Sequence, residues 1–339
     1  MKQNYHPWEI NLKEFAQQKD GFEQLSFLVN FAVLAPSSHN SQPWRFVVGN
    51  DGISIFTEYK RALPHSDKNN RQLFISLGCA LENLLIAADY YGFEASYEYE
   101  KTNNEIKVFL KRTRKPVGGR NHLIFSIPKR HTNRGKYSQI VPDKTILEKL
   151  QSHSNSNIQI LFTTEKETRK KIAEIVVEAL VTAMDDKMFR EELSHFVKPN
   201  TTNSPLGMPA FGFGISTPIS LIAPKLLKYV NMNKLSRKQD LELLKNHTPA
   251  LGVIATTEDN PRAWIEAGKI YESIALSAEE NNLKTAPMAA VIQIDNFYKD
   301  LQSVLNTHLR PQIFFRLGYC QTTSPPSPRL DAKAVITAF

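Results

Sequence analysis

The chain has 339 residues, more than the ~250–300 over which a single core normally grows, so its length points to two domains or two fused halves. Hydrophobic residues make up 41% and charged residues 22%, which excludes wholesale disorder. Two cysteines, Cys79 and Cys320, exclude a disulfide framework or a cysteine-built metal cluster. The net charge of +8 leaves open a solvated basic surface, nucleic acid, an anionic membrane face or a phosphorylated small molecule.

Residues 21–35 carry Phe22, Leu25, Leu28, Val29, Ala32 and Val33 at helical spacing, and Pro36 stops the helix. Two β-rich runs, Arg45–Gly49 and Ile53–Glu58, flank Asn50-Asp51-Gly52, a hairpin signature. A helix is predicted from Asn70 to Tyr91, ended by Gly92. A second hairpin follows at Ala95–Glu100 and Glu105–Lys111, turning at Thr102-Asn103-Asn104. Residues 111–120 read as a basic, flexible connector.

Past the connector, His122–Ile127 reads as a short strand, 144–151 as a helix, Ile158–Thr163 as a strand and 168–184 as a long helix. Residues 198–217 hold three prolines and three glycines in a loop long enough to suggest a functional cover. A helical stretch over about 219–246, a strand at Ala250–Thr256, a helix at Pro261–Asn282 and a strand at Gln312–Arg316 precede a proline-rich tail. No apolar run approaches the ~18 residues of a membrane helix. The start shows no apolar signal region, and the basic residues form no stripe interleaved with aromatics. The expectation is therefore a cytoplasmic protein with neither membrane nor nucleic-acid partner.

A faint repeat joins the halves. GCALENLLIAADYYGF at 78–93 matches GKIYESIALSAEENNL at 268–283, with Gly78/Gly268, Glu82/Glu272 and Ala88/Ala278 coinciding.

Metal-protease, Cys-x-x-Cys, Gly-x-Ser-x-Gly and Walker A signatures are absent, and nine histidines lack ligand spacing, so no metal is expected. Three segments remain. Ala35-Pro-Ser-Ser-His-Asn-Ser-Gln-Pro-Trp presents clustered hydroxyls and amides, suited either to a polar ring edge or to a proline-bounded turn. Lys129-Arg-His-Thr-Asn-Arg sets Arg130, Thr132 and Arg134 at alternating positions. If extended they share one side and could cradle phosphate; otherwise they form a solvated basic loop. The third segment runs from Arg316 through Gly318 to Arg329.

Together these segments resemble the FMN-dependent nitroreductase family. PSSHNSQPW is similar to that family's P-S-x-x-N-x-Q-P-W stretch, Arg130-x-Thr132-x-Arg134 to its R-x-S-x-R motif, and Leu-Gly-Tyr followed by Pro328-Arg329 to its C-terminal element. The arginine motif follows the P-S-x-x-N stretch here, and Arg61-Ala-Leu-Pro64, Asp67 and Arg71 stand between them. That order resembles the Acg-like branch, in which one chain forms an internal pseudo-dimer.

The resemblance implies an α+β fold of two related halves, 1–115 and 120–339, each with a largely antiparallel sheet flanked by helices, and a lid-like loop at 198–217. It implies FMN as cofactor, NAD(P)H and a nitroaromatic or quinone-type acceptor as partners, and ping-pong hydride transfer with no catalytic side chain. The alternative it carries is a catalytically weak protein that sequesters FMN under the lid. Arg130, Thr132 and Arg329 would hold the phosphate and Arg134 the reduced ring. Ser37, Ser38, Asn40 and Gln42 would reach the flavin from the other half, and Pro287, Met288 and Ala289 would stand where the family offers backbone amides. Gly318 would close the C-terminal element. One site per chain is implied, in a monomer or a homodimer.

Overall fold

The computed structural model describes residues 2–113, 119–320 and 322–338. In chain order these form α1 (Gly21–Ala32), β1 (Trp44–Val48), β2 (Gly52–Thr57), α2 (Arg71–Tyr90), β3 (Phe93–Glu100) and β4 (Glu105–Arg112). Then come α3 (Lys144–Gln151), β5 (Ile158–Thr163), α4 (Lys166–Asp185), α5 (Lys187–Phe196), β6 (Val197–Lys198) and β7 (Met208–Pro209). The chain ends with α6 (Thr217–Ser220), α7 (Ala223–Tyr229), α8 (Asn233–Asn246), β8 (Ala250–Thr256), α9 (Pro261–Glu280), β9 (Leu283–Pro287), α10 (Ala290–Gln293), α11 (Phe297–Leu305), β10 (Arg310–Tyr319) and β11 (Ile336–Ala338).

Local chemistry sets the main boundaries. The Asp20 side chain accepts from Glu23 N at 2.8 Å while the Glu23 carboxylate accepts from Lys19 N at 2.7 Å, a reciprocal cap that starts α1. Asn260 caps α9 through Ala263 N, with Pro261 in the first turn, where its missing N–H costs nothing. Asn104 takes φ 50° at the β3–β4 turn.

One sheet has the order β11-β1-β2-β4-β3 and the other β5-β8-β10-β9. Within these two sheets the described pairs are antiparallel except that β11 lies parallel to β1, with Phe46 opposite Ile336, and β6 and β7 form a separate parallel pair. Trp44, Phe46 and Val48 alternate inward on β1, whereas every residue of β8 is buried, as befits a strand covered on both faces.

Helices α2 and α9 pack together between the sheets, and the repeat marks their crossing. A Cβ on Gly78 would collide with the carbonyl of Ile265, and one on Gly268 with the carbonyl of Ile75, each 2.9 Å from the carbonyl carbon. Each helix therefore presents its glycine to the other helix's backbone, and the Cys79 thiol donates to Gly268 O at 3.2 Å across the same gap.

Several expectations are corrected. Residues 122–127 are no strand: a 3₁₀ turn spans Asn121–Phe125, with Leu123, Ile124 and Ile127 buried. The stretch over 219–246 is broken into α6, α7 and α8, because Pro218 and Pro224 each restart a helix. The tail after β10 is structured and ends in β11. Helix α2 is long and apolar enough to cross a membrane by composition, against the reading above, but most of it is core. Of the connector at 111–120, Lys111 and Arg112 finish β4, and residues 114–118 lie outside the described residues.

Candidate functional site

The PSSHNSQPW segment leaves α1 through a turn in which Ser37 Oγ accepts from Gln42 N at 2.9 Å. His39, Asn40 and Gln42 have φ of 52°, 55° and 50°, three left-handed residues in four, none of them glycine. That conformation is costly for side chains and persists where the surroundings over-determine it. Here it aims two amides across the molecule. Asn40 Nδ2 donates to Gly207 O and Pro328 O, both at 2.9 Å, and Gln42 Nε2 donates to Pro205 O at 2.7 Å. Gln42 Oε1 accepts from Leu330 N at 2.9 Å. The segment thus ties the first half to the loop before β7 and to the chain beyond β10.

Two arginines meet behind it. Arg329 Nη1 donates to Asn40 Oδ1 at 2.7 Å, its Nη2 donates to Ala35 O at 3.2 Å, and its guanidinium lies 4.8 Å from the Trp8 ring. Arg130 Nη2 donates to Leu34 O at 3.1 Å, and Arg329 Nη2 shares that carbonyl at 3.3 Å. The carbonyls left unpaired at the end of α1 thus receive both arginines. Arg130 Nε stands 3.0 Å from Glu272 Oε1, with both side chains almost fully buried. That contact is off-axis, and Arg130 Nε and Nη1, Arg329 Nε and both Glu272 oxygens make no hydrogen bond among the described residues. Burial pushes the Glu272 carboxyl up. Burial, then Arg130, pulls Arg329 down to about 9. Two guanidinium groups share one carboxylate that burial disfavours as a charge, so the cluster is short of negative charge and offers unused donors.

The alternation expected for Arg130, Thr132 and Arg134 does not form. Residues 130–134 belong to no strand; Asn133 N donates to Thr285 O at 3.1 Å and turns the chain. Arg130 and Asn133 are buried, while Thr132 is half-buried. Arg134 departs from Arg130 and runs under the 199–215 segment, where Nη2 donates to Met208 Sδ at 3.3 Å and the guanidinium faces the Phe213 ring at 4.9 Å. No carboxylate lies within ion-pair distance of it among the described residues, and burial, then Arg316, pulls it down to about 10. His39 lies nearby against Phe189 and Phe196, and burial holds its imidazole down at about 4.

Asn40, Gln42, Arg130 and Arg329 therefore come together, and Arg134 lies beside them under the loop. Ser38 borders a closed-up crevice, too tight for a water molecule, shared with Ser41, Arg61, Asp67 and Ser76. Pro287 ends β9, Met288 N is taken by Phe314 O at 2.9 Å, and Ala289 precedes α10 with its carbonyl accepting from Ile292 N at 3.0 Å. Gly318 sits within β10, where a Cβ would press on Pro249 and Tyr137, so its smallness serves packing.

Sequence reasoning assigned no role to Glu272, Trp8, Arg316 or Glu192. The repeat could have flagged Glu272, because its partner Glu82 pairs in the same way with Arg120 at 2.6 Å. Arg316 Nη1 donates to Gly135 O at 3.1 Å and its guanidinium faces Tyr137 at 4.7 Å, bracing the turn behind Arg134. Glu192 accepts from the amides of His65 and Ser66 at 2.8 and 2.9 Å, fixing α5 to the Arg61–Pro64 region.

The chain is similar to several known proteins. A Mycobacterium tuberculosis protein named "Putative NAD(P)H nitroreductase Rv3131" is 24% identical over 93% of this chain and 91% of its own. Another, "Putative NAD(P)H nitroreductase acg", is 19% identical over 92% of this chain and 93% of its own. The match to each runs over more than nine-tenths of both chains. No family model matches it. Among solved structures, the FMN and NADPH-dependent nitroreductase NfnB from Sphigopyxis overlays at a TM-score of 0.43 with 17% identity, covering 63% of this chain and 97% of that one. The FMN-dependent nitroreductase NfnB from Mycobacterium smegmatis gives 0.42 and 12%, covering 62% and 94%.

Proposed function

We propose that the protein is an FMN-binding NAD(P)H oxidoreductase of the nitroreductase kind. The observation that carries this is the buried Arg130–Arg329 pair, with unused donors and one carboxylate between them, on a chain whose relatives bear nitroreductase names. The donor set suits a phosphate: guanidinium groups bind it through paired N–H bonds, and a dianion would supply the missing negative charge. The space does not suit it while the loop is down. The crevice beside Ser38 has no room even for a water molecule, and Pro205 and Gly207 occupy the amides of Gln42 and Asn40. Binding therefore requires the 199–215 segment to lift.

With the segment raised, Arg130 and Arg329 would hold the phosphate, with Asn40 orienting Arg329 and Glu272 orienting Arg130. Asn40 and Gln42, released from Gly207 and Pro205, would offer amides toward the ring, and Arg134, freed from Met208 and Phe213, would hold negative charge near it. The chemistry that FMN brings to such a site is acceptance of a hydride from NAD(P)H and delivery of two electrons to a nitroaromatic or quinone-type acceptor. The two halves, 1–115 and 120–339, would then be the two members of one internal dimer with a single complete site.

A second reading is favoured by one observation. Four hydrogen bonds or close polar contacts, from Asn40 Nδ2, Gln42 Nε2 and Arg134 Nη2, hold the loop down, as suits a protein that keeps FMN covered and turns over slowly. The absorbance spectrum of the purified protein, with flavin extracted and counted after reconstitution, tests the first claim; FMN near one per chain is expected. NADPH- or NADH-dependent reduction of a small nitroaromatic separates the readings. A colourless protein that binds no added FMN overturns both.

A further inference from the structure

Beyond the site, one surface lacks a partner. Between Leu193 and Gln239 the sequence has no Asp or Glu, yet it holds six Lys or Arg residues, in a chain with 34 acidic residues overall. The middle of this stretch forms α6 and α7 and leaves large apolar side chains in solvent: Ile219 is 53% exposed, Leu221 59%, Ile222 57% and Tyr229 73%. Val230 and Met232 extend the patch past the helix. Ile222, Lys225 and Tyr229 follow one another at three and four residues, so they line one side of α7, with the exposed Lys225 between the apolar pair. Nearby carboxylates are already engaged: Glu191 pairs with Lys228 at 2.5 Å, and Asp185 accepts from Asn231 and Asn233 at 2.7 and 2.6 Å.

We propose that this α6–α7 surface seats the protein on an anionic lipid bilayer. Aliphatic side chains, an interfacial tyrosine and the exposed Lys225 between them are what an interfacial segment needs, Lys228 and Arg237 being held by Glu191 and Glu178: apolar groups enter the headgroup boundary while the cation meets anionic lipid. A second copy of this chain fits less well, since like-charged faces would meet. A nucleic acid fits less well too, since the patch is aliphatic where base stacking needs aromatic platforms. The docking is peripheral and departs from the sequence expectation of no membrane partner. It does not depend on the FMN reading. The patch is continuous with the covering loop: Asn200 Nδ2 donates to Ile215 O at 3.0 Å, and Asn200 N donates to Ser220 Oγ at 3.0 Å.

The test is co-sedimentation of the full chain with vesicles of phosphatidylcholine alone and of phosphatidylcholine with phosphatidylglycerol. Binding is expected only to the anionic vesicles, and it should weaken as salt rises from ~0.05 to 0.5 M. Leu221→Glu with Ile222→Glu, both at exposed positions, should lower the partition coefficient by about tenfold or more, since the apolar anchor is lost. Lys225→Glu should lower it less. Equal binding to both vesicles, no binding to either, or a double variant that binds as tightly as the wild type overturns the proposal. Concentration-dependent dimerisation abolished by Leu221→Glu with Ile222→Glu, without lipid binding, would assign the surface to a second copy instead.

Discussion

Gly78 and Gly268 are each the point at which one central helix touches the backbone of the other, and each would drive a methyl group into a carbonyl of the facing helix. The two contacts are equivalent, Gly78 against Ile265 and Gly268 against Ile75. Gly78→Ala and Gly268→Ala should therefore destabilise by similar amounts, about 2 kcal/mol or more each, because backbone cannot yield as a side chain does. Once one substitution has parted the helices, the second should cost less than the first. Urea unfolding of the two single variants and the double variant checks this; a fully additive double variant would contradict the shared-contact account.

Arg130 should matter to FMN more than to the fold. Arg130→Ala is expected to lower FMN affinity by ~30- to several-thousand-fold. Alone it also takes from the buried Glu272 the nearer of its two guanidinium neighbours and leaves it Arg329. The Arg130→Met, Glu272→Leu double variant removes one buried charge of each sign, leaves the net charge of the cluster as in the wild type, and should still fail to bind FMN. Fluorescence titration of FMN reads the binding. Unchanged affinity in the double variant removes Arg130 from the site.

The loop should open when its amide contacts go. Gly207 N donates to Asn40 O at 3.2 Å, and Asn40 Nδ2 returns a bond to Gly207 O at 2.9 Å. Asn40→Leu should raise hydrogen exchange at the Gly207 amide, with or without flavin. Replacing 204–214 with a short Gly/Ser linker should speed FMN release and raise nitroaromatic reduction. If exchange rises while both rates stay within twofold, the loop moves but covers nothing.

The same region should loosen in acid. His39 titrates at about 4 in the folded chain against 6.5 when free, so the unfolded chain binds more protons between those values. Stability from this group is complete above ~6.5 and is lost as pH falls toward 4, up to ~3 kcal/mol. Glu272, pushed up by burial, has the opposite slope from its ordinary range upward. Comparing wild type with His39→Asn cancels that contribution, and asparagine tolerates the left-handed backbone at 39. The difference in unfolding free energy should shrink in wild type's disfavour between pH 6.5 and 4. A difference independent of pH would show that His39 does not stay neutral.

Elements with periodic or punctuated sequence were legible. Both hairpins, α2 and α9 have turn residues or caps at their ends, and each formed where its pattern placed it. The 219–246 stretch misled because apolar spacing alone does not show where a proline restarts a helix. At the site, the residue types were legible but their directions were not. Alternation placed Arg130 with Arg134, whereas the tertiary bond from Asn133 N to Thr285 O turns the chain between them. Likewise, nothing local to Asn40 indicates that its amide meets Gly207 and Pro328, which lie 167 and 288 residues away.

The parallel pairing of β11 with β1 also fixes a sequence of events at the ribosome. Phe46 finds Ile336 only once residue 336 has emerged, so until then the first sheet keeps the outer edge of β1 unpaired. At ~5–20 residues per second, that edge stands open for tens of seconds. A chain truncated before residue 336 would keep it open permanently, so loss of β11 should appear as aggregation of nascent protein well before it appears as lost activity.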